Sequence, residues 1–495
     1  MELEFRPVQI PCLHCVLYET VTQEVRGEVP VPEDAGDPTR IIGALADAVV
    51  RTRQCGNGEL SLNGDVQACV LLEAADRPEP LTLSVYLPFT LGRSVAPEAT
   101  SCAVRCRVAG AEAQLLGARK AGVRVVLHLT LWAWAPREQT CFRPEGRDRR
   151  VQLRLREYPM RLVRECAQKT MLLRDTLPLA AGAPEAARIV HTRTRCEISD
   201  AKLSGSQAVC KGTLHLSLLY ETPAGELCAG ELAMPFSQLI DLAGSYDEQS
   251  AEILPQLTAA EALAEDGGVA VEAGIELQCI VRQTVAVPIV EDAYALRGEL
   301  QTRTQSVELT PMLDIRTLRQ DLAPELPGRA REILAVDVFP GTPQIESRDG
   351  ACRIRAPVQI CRLYRDETGA CRRAEGSACF DQQVSAAPAL CRAEAGIEGT
   401  VFAAPGAGRI ELRIPVAVHA RWYDERPRQS ICAAQLREGP REERPAVVIR
   451  TLEADAPLWD IAKELRTTVS AIQIANDMDA DVAPAGMMLL IPIVA

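Results

Sequence analysis

The alternation of apolar and polar residues is clearest between residues 209 and 236. One set of side chains alternates with a second, more polar set: Leu214, Leu216, Leu218 and Tyr220 with Thr213, His215, Ser217 and Leu219. This two-residue period is typical of a half-buried strand. Residues 222–225 favour a turn, and the chain returns through residues 227–236. The stretch predicts a β-hairpin, which must pack on another part of the chain because an isolated hairpin is marginal in water.

The same pattern occurs three times along the chain. One set of anchors is Phe89, Phe236 and Phe380, spaced 147 and 144 residues apart, and a second is Ile41, Ile189 and Ile333, spaced 148 and 144 apart. Because the spacing shortens by a similar amount in both sets, the anchors indicate tandem domains of similar length. We therefore expect a mainly β protein with three β-rich, sandwich-like domains, at residues 1–140, 141–290 and 291–436, the third being diverged.

Within the first copy, the pattern predicts a strand over 21–29, a hairpin of 66–72 with 81–89, and a closing strand over 123–131. Residues 38–49 are interpreted as a short helix, because Pro38 is tolerated in a first helical turn. The other copies repeat this order.

The sequence pattern changes after residue 436. Residues 437–445 are polar and contain helix breakers, which predicts a linker. Residues 446–495 then predict a βααβ unit. In it Asp455 is placed to cap a first helix, whose apolar residues recur at helical spacing, and Thr468 to cap a second.

Composition excludes several classes of partner. The chain has 495 residues, a formal net charge of -13 and a pI near 5.2. Nucleic acid and anionic lipid both need a basic face, so neither is an expected partner. Apolar runs are shorter than the ~20 residues of a membrane helix, and the N-terminus lacks a signal-peptide pattern, so we expect no membrane insertion and a cytoplasmic location.

Eighteen cysteines are spread singly through strand-like runs, which favours small buried apolar residues over disulfides. Cys12 and Cys15 form a C-x-x-C motif around His14, and this leaves half a zinc site or a redox pair as alternatives. No second pair stands at zinc-finger spacing, and no nucleophile elbow, phosphate-binding loop or H-E-x-x-H helix is found. The sequence therefore predicts no metal, no cofactor and no enzyme activity.

An arginine-rich segment spans residues 137–164. It could bind a polyanion, but acidic residues are interleaved, and Val151, Leu153 and Leu155 alternate with arginines as on a solvated strand. The structural interpretation is preferred.

The C-terminal unit resembles a LysM domain. The resemblance is carried by residues 458–463 (LWDIAK), 467–469 (TTV), Ala475-Asn476, 484–486 (PAG) and 489–492 (LLIP). LysM domains usually bind N-acetylglucosamine glycans of peptidoglycan through two loops, and the resemblance places binding residues at Asp455, Ala456, Pro457, Asn476, Asp477 and Met478. Trp459 is interpreted as core between the helices, with a partner contact as the alternative. The first loop departs from the usual Gly-Asp-Thr or Gly-Asp-Ser, and the unit carries seven acidic residues against three basic ones.

The three large repeats resemble the SPOCS domain of spore-coat assembly proteins of endospore-forming Firmicutes. The second copy carries this best, through Leu219-Tyr220, Gly230-Glu231 and residues 235–241 (PFSQLID), whereas the third has Cys379-Phe380-Asp381 in place of the Pro-Phe-Ser. SPOCS repeats followed by one LysM domain are typical of a family of clostridial coat morphogenesis proteins. In that family the LysM domain is associated with a SpoIVA-like coat-basement ATPase, and the protein lies in the mother-cell cytoplasm on the forespore surface.

The resemblance implies a non-catalytic scaffold in spore-coat assembly, acting by protein–protein interaction. The alternative is a peptidoglycan-binding protein of the cell wall or spore cortex. A third hypothesis, an enzyme with an unrecognised site in one repeat, would require convergent polar residues in a pocket.

Overall fold

Antiparallel β-strands make up most of the molecule. The computed structural model describes residues 2–33, 38–74, 77, 79–117, 119–146, 148–246, 250–348, 350–385, 389–406, 408–437, 439 and 444–493. The predicted fold class is confirmed: the protein is mainly β, with two short helices near its C-terminus. Neither helix in this described part is long and apolar enough to cross a membrane.

The first β-unit comprises β2–β7. The strands up to its end are β1 (Glu2–Leu3), β2 (Phe5–Pro30), β3 (Pro38–Gly56), β4 (Glu59–Ala74), β5 (Leu81–Ser94), β6 (Ser101–Gly117) and β7 (Lys120–Pro144). Strands β3, β4 and β5 form one sheet in chain order, and β2, β7 and β6 lie side by side in another. The apolar core of the unit lies between these two sheets.

The second β-unit comprises β8–β13. Its strands are β8 (Val151–Leu177), β9 (Arg188–Ser204), β10 (Gln207–Glu221), β11 (Leu227–Asp241), β12 (Ser250–Glu265) and β13 (Gly268–Ala295). The β9–β10–β11 sheet faces the β12–β13–β8 group across a second core. The pair Leu13 and Val163 connects β2 to β8, which joins the long strands of both units into a six-stranded sheet.

The third β-unit comprises β15–β23, with a third core. The remaining strands of the β-rich part are β14 (Glu299–Val307), β15 (Met312–Leu322), β16 (Leu326–Pro327), β17 (Ala330–Pro340), β18 (Gln344–Arg348), β19 (Ala351–Asp366), β20 (Cys371–Ser385), β21 (Leu390–Ile397), β22 (Phe402–Pro405), β23 (Arg409–Tyr423) and β24 (Arg428–Arg437). Strand β24 pairs with both β1 and β14, which brings the start of the chain beside the end of the third unit.

The C-terminal unit comprises β25 (Val447–Thr451), β26 (Ala456–Pro457), α1 (Leu458–Leu465), α2 (Val469–Ala475), β27 (Val482–Ala483) and β28 (Met488–Pro492). The domain boundaries predicted at residues 140, 290 and 436 each fall within a strand, namely β7, β13 and β24. Within the predicted linker, residues 438 and 440–443 lie outside the described residues.

The hairpin predicted at residues 209–236 is confirmed. Strands β10 and β11 pair without a register shift from Gln207 opposite Asp241 to Glu221 opposite Leu227. The turn is closed by hydrogen bonds from Gly225 N to Thr222 O (2.8 Å) and from Thr222 N to Glu226 O (2.9 Å). Gly225 has φ 82°, a left-handed conformation that glycine adopts without steric cost.

The helix predicted over residues 38–49 is wrong, because this stretch lies within strand β3. Ala44, Ala46 and Ala48 are buried in the core of the first unit. Leu45 is also buried, but it packs into a different cluster on the opposite face of the strand. Because both faces of β3 are covered, the run is apolar without a two-residue period, and such a run cannot be told from a helix by periodicity alone.

That second cluster joins the three β-units. Leu71, Leu219 and Leu363 meet in it, and they are spaced 148 and 144 residues apart, as the predicted repeat requires. Its other buried members are Leu45, Cys69, Val190, Leu227, Leu334 and Cys371. Corresponding middle strands of the three repeats therefore share one core, and none of the three small sheets is open to water on both faces.

A cross-strand ion pair recurs beside this shared core with one reversal. The pairs are Arg40–Glu73 at 2.7 Å, Arg188–Glu221 at 2.6 Å and Glu332–Arg365 at 3.3 Å, all at corresponding positions of the repeat. In the third unit the arginine and the acid have exchanged strands. Arg365 thereby reaches the two other units, with hydrogen bonds to Glu79 (2.8 and 2.9 Å) and to the Leu227 carbonyl (3.0 Å).

A chain of buried charges links the units at a second place. The chain runs Arg105, Glu394, Arg421, Glu252, Arg282, so that it begins in the first unit, crosses the third and ends in the second. Arg105 and Arg421 approach Glu394 to 2.9 and 3.0 Å, and Arg282 lies 2.8 Å from Glu252. The side chains of Glu394 and Arg421 are 2% and 5% exposed, so each charge depends on its neighbours for the solvation it has lost.

Substitution of Glu394 by Gln tests this chain. It removes the negative charge between Arg105 and Arg421, so that the buried Arg421 keeps only Glu252 and Arg105 loses its ion-pair partner. We expect the free energy of unfolding to fall by about 3–5 kcal/mol, as for other broken buried pairs. The measurement is chemical denaturation of the full chain. The control is Glu272→Gln, whose ion pair with Arg174 is exposed and which should leave stability close to wild type; equal losses in both variants would contradict the prediction.

The burial of His191 predicts that the stability of the fold depends on pH. The residue is 4% exposed, and neither ring nitrogen has a hydrogen-bond partner. Burial lowers its pKa to about 4, against an upward pull from Asp337. Since the unfolded chain takes up the proton near pH 6.5, stability should decline as the pH falls from about 6.5 to 4, by up to about 3 kcal/mol from this group. Denaturation midpoints across that range should show a smaller decline in His191→Phe; an unchanged slope would refute this assignment.

Candidate partner-binding site in the C-terminal unit

The C-terminal unit forms the predicted βααβ arrangement around a small core of its own. Strands β25 and β28 pair antiparallel from Val447 opposite Pro492 to Thr451 opposite Met488. Helix α2 packs beside β28, and α1 packs against α2 and β26. Seven side chains at the centre are fully or almost fully buried: Leu458, Ile461, Ala462, Ile472, Ala483, Leu489 and Ile491. The apolar stripe identified on the first helix supplies three of them.

The helix starts differ from each other in how they are capped. Thr468 caps α2 as predicted, because its hydroxyl accepts a hydrogen bond from Ala471 N at 3.1 Å. The prediction that Asp455 caps α1 is wrong: Pro457 occupies the N-cap position without a side-chain bond. Instead Asp455 Oδ1 accepts from Ala485 N at 2.8 Å. The short β26–β27 bridge keeps the chain extended up to Pro457, so the helix begins two residues too late for Asp455 to reach it.

The first predicted binding loop pairs with the segment that follows the second predicted loop, residues 481–483. Ala456 and Pro457 pair with Ala483 and Val482, and Leu458 N donates to Asp481 O at 2.8 Å. The Asp455 carboxylate is occupied by the Ala485 amide. This loop is therefore an integral part of the fold of the unit.

The second predicted loop is organised by Asn476. Its amide nitrogen donates to the carbonyls of Ile472 and Leu490 at 2.7 Å each, and its Oδ1 accepts from Leu490 N at 2.8 Å. Met478 is half-buried against the core, whereas Asp477 is exposed with φ 50°. Of these three residues, Asp477 alone presents its side chain largely to solvent.

Trp459 lies where the C-terminal unit meets the end of β13. Its indole Nε1 donates to Asp292 Oδ2 at 2.9 Å, and its ring meets Tyr294 edge-on with centroids 5.0 Å apart. Lys463 Nζ binds both oxygens of Asp292 at 2.7 Å, and the Tyr294 hydroxyl donates to Thr467 O at 2.8 Å. The predicted core packing of Trp459 is thus combined with a contact to another part of the same chain.

Electrostatics strengthen this attachment near neutral pH. Partial burial opposes ionisation of Asp292, but the hydrogen bonds from Lys463 and Trp459 outweigh it, so the pKa of the carboxyl group lies below its usual value. The stabilisation is present above the usual pKa of an aspartate and is lost as the pH falls through the lowered value. At neutral pH the C-terminal unit is held to the second β-unit by an ionised contact.

The sequence pattern did not predict an exposed apolar surface of the unit, the outer face of the β25–β28 ribbon. Val447, Ile449, Met488 and Leu490 lie on this face with 45%, 64%, 67% and 40% of their surface exposed. Ile449 is directly opposite Leu490, and side chains of such a pair share one face. The signal was present in the sequence, because β28 and the first three residues of β25 are apolar at inward and outward positions alike.

An apolar face of this kind is typical of a surface that binds a partner. It stands on a unit with seven acidic residues and three basic ones. A matching partner surface would be apolar at its centre and basic at its edge.

Two further places in the β-units bear on the sequence predictions, a cleft around Arg53 and the C-x-x-C motif of Cys12 and Cys15. A cleft of about 770 Å³ is lined mainly by polar side chains and backbone around Arg53, whose donors are taken by Glu276 (2.8 Å), Gln168 (2.7 Å) and Cys102. Within the described ranges, no group of three or more His, Cys, Asp or Glu side chains is arranged to hold a metal ion. Burial raises the pKa of Cys12 and of Cys15, which favours the less reactive thiol form.

In comparisons with known proteins, no family model, no curated protein and no solved structure matches the chain.

Asn476 provides a test of how the second loop is held. In Asn476→Ala three hydrogen bonds to Ile472 and Leu490 are lost, and we expect the C-terminal unit to be destabilised by about 2–3 kcal/mol. Hydrogen exchange at the Leu490 amide should accelerate accordingly. The matched control is Asp477→Asn, an exposed neighbour whose left-handed backbone asparagine also tolerates; exchange as fast in that variant would contradict the assignment.

Proposed function

We propose that this protein is a non-catalytic scaffold in endospore coat assembly, which binds a coat morphogenetic protein through its C-terminal, LysM-like unit. The proposed partner is the coat-basement ATPase, and the proposed location is the mother-cell cytoplasm at the forespore surface. The observation that carries the proposal is the apolar outer face of the β25–β28 ribbon.

The position of this face supports protein binding. The unit is held to the second β-unit through Asp292 and Tyr294, while Val447, Ile449, Met488 and Leu490 remain exposed. A partner bound there would be linked to three β-units that share one core. Such a block suits a layer-building protein, since contacts made by its other surfaces would add to the affinity through effective concentration.

The predicted sugar-binding loops favour the scaffold over the glycan alternative. Sugar recognition needs polar groups presented to solvent, but the side chains of Asp455 and Asn476 are already hydrogen-bonded within the unit. Trp459, the aromatic residue nearest to these loops in sequence, donates a hydrogen bond to Asp292 and packs edge-on against Tyr294. The loops therefore offer few unoccupied polar groups for binding peptidoglycan, whereas the β25–β28 face offers an exposed apolar surface for binding a protein.

The test is capture of the full chain by the purified coat-basement ATPase. We expect Ile449→Glu to weaken capture at least tenfold, because it places a charge at the centre of the apolar face. Leu263→Glu is the matched control: Leu263 in β12 is 63% exposed, against 64% for Ile449, and lies outside the C-terminal unit. It should bind as wild type does.

A parallel sedimentation with peptidoglycan separates the two functions. Pelleting that soluble chitin oligomers abolish, without capture by the ATPase, would overturn the scaffold in favour of a glycan-binding protein. Equal weakening by both glutamate variants would show that capture does not use the β25–β28 face.

A further inference from the structure

A small cavity lies where the three β-units come together, beside the chain of buried charges. Its volume is about 100 Å³. The first unit contributes the start of β2, with Cys12 and Cys15, together with Trp132 and Trp134. The second and third units contribute the charged residues of the wall. We call this space the junction cavity.

The wall of the junction cavity carries an excess of positive charge. Four arginines line it, Arg161, Arg282, Arg392 and Arg421, against two glutamates, Glu252 and Glu425, which leaves two positive charges in excess (4 - 2). This occurs inside a chain whose net charge is -13. The surrounding Trp132, Trp134, Leu254 and Ile280 are apolar, so the charges interact through a medium of low polarity.

One donor in this wall has no acceptor. Arg282 is 5% exposed, and its Nη1 binds Glu252 at 2.8 Å, but its Nε has no hydrogen-bond partner. A buried charged donor without an acceptor is costly, so an acceptor placed beside Arg282 Nε would be strongly favoured.

Two further arginines are positioned to contribute. Burial lowers the pKa of Arg161, and the nearby charge of Arg282 lowers it further, because two guanidinium groups of like charge repel one another. Arg392 lies over the rings of Tyr18 and Tyr423, with its carbon 4.8 and 5.0 Å from their centroids. Stacking occupies the faces of a guanidinium group and leaves its in-plane N–H groups for acceptors. Of these groups in Arg392, Nη1 contacts Cys15 Sγ at 3.3 Å and Nη2 lies 3.7 Å from Glu425 Oε1, so that a bound oxyanion would share them.

We propose that the junction cavity binds one small oxyanion of the size of phosphate or sulfate, held by Arg161, Arg282 and Arg392. Arginine is the side chain best suited to such anions, because its planar donors match their oxygens. The volume equals that of a few water molecules at about 30 Å³ each and is far below the roughly 300–1,000 Å³ of sites for larger ligands. A bound oxyanion would accept from Arg282 Nε and offset the repulsion between Arg161 and Arg282.

Binding should also stabilise the fold. Residues from all three β-units line the junction cavity, so an anion that binds only the folded chain would hold the units together and raise the unfolding temperature with its concentration. This inference concerns the interior of the β-units and does not depend on the proposed function.

The experiment is equilibrium dialysis of the full chain against radiolabelled inorganic phosphate, with ionic strength held constant by chloride. We expect saturable binding of about one phosphate per chain, displaced by sulfate but not by chloride. Arg161→Gln should weaken binding at least tenfold, and Arg392→Gln provides a second variant if the first does not fold. Arg174→Gln is the control, since Arg174 is exposed on β8 and paired with Glu272; it should bind as wild type does.

Two outcomes would overturn the proposal. One is the absence of saturable binding to the wild type at millimolar phosphate. The other is binding that Arg161→Gln and Arg392→Gln leave unchanged, or that chloride displaces as well as sulfate does. Unfolding temperatures measured in parallel should rise with phosphate in wild type and in Arg174→Gln, and rise less in the cavity variants.

Discussion

The chain of buried charges from Arg105 to Arg282 is the interaction on which the arrangement of the three β-units depends. Ions removed from water are tolerated only if their partners are within hydrogen-bond distance. Glu394 meets this condition through one arginine of the first unit and one of the third, and Glu252 through one of the second and one of the third. Any shift of one unit against another would separate these pairs. The charges therefore fix the orientation of units that apolar packing alone would leave free to slide.

Two kinds of contact join the repeats: a shared apolar core and specific ion pairs. Leu71, Leu219 and Leu363 bring equivalent strands into one shared core, which supplies the non-directional part of the attraction. The exchange of Arg and Glu between strands in the third unit then breaks the equivalence, since Arg365 alone reaches Glu79 and the Leu227 carbonyl. The repeats have thus become unequal parts of one assembly, and the junction cavity, with its excess of arginines, lies at their meeting point.

In the C-terminal unit, polar side chains stabilise the fold of the unit itself, and an apolar surface stays exposed. Its polar loop residues are used internally: Asn476 joins α2 to β28, and Asp455 holds the turn at Ala485. Trp459 and Lys463 attach the unit to Asp292. What remains for a partner is the apolar outer face of β25 and β28, and this is why a protein contact is favoured over a sugar. The attachment at β13 fixes this face relative to the second β-unit, as the proposed scaffold role would require.

The sequence by itself determined the elements whose side chains have one wet and one dry face. The hairpin at β10 and β11, the closing strands, the repeat spacing and the βααβ order all follow from local periodicity and turn residues, as does the cap at Thr468. Local patterns could not determine β3, because a neighbouring unit covers its second face and removes the alternation that marks a strand. Nor could they determine the partners of Glu394, Arg365 or Trp459. The contacts between units, such as Glu394 with Arg105, Arg365 with Glu79 and Trp459 with Asp292, join residues more than a hundred positions apart. Only the packing of the units brings them within hydrogen-bond distance.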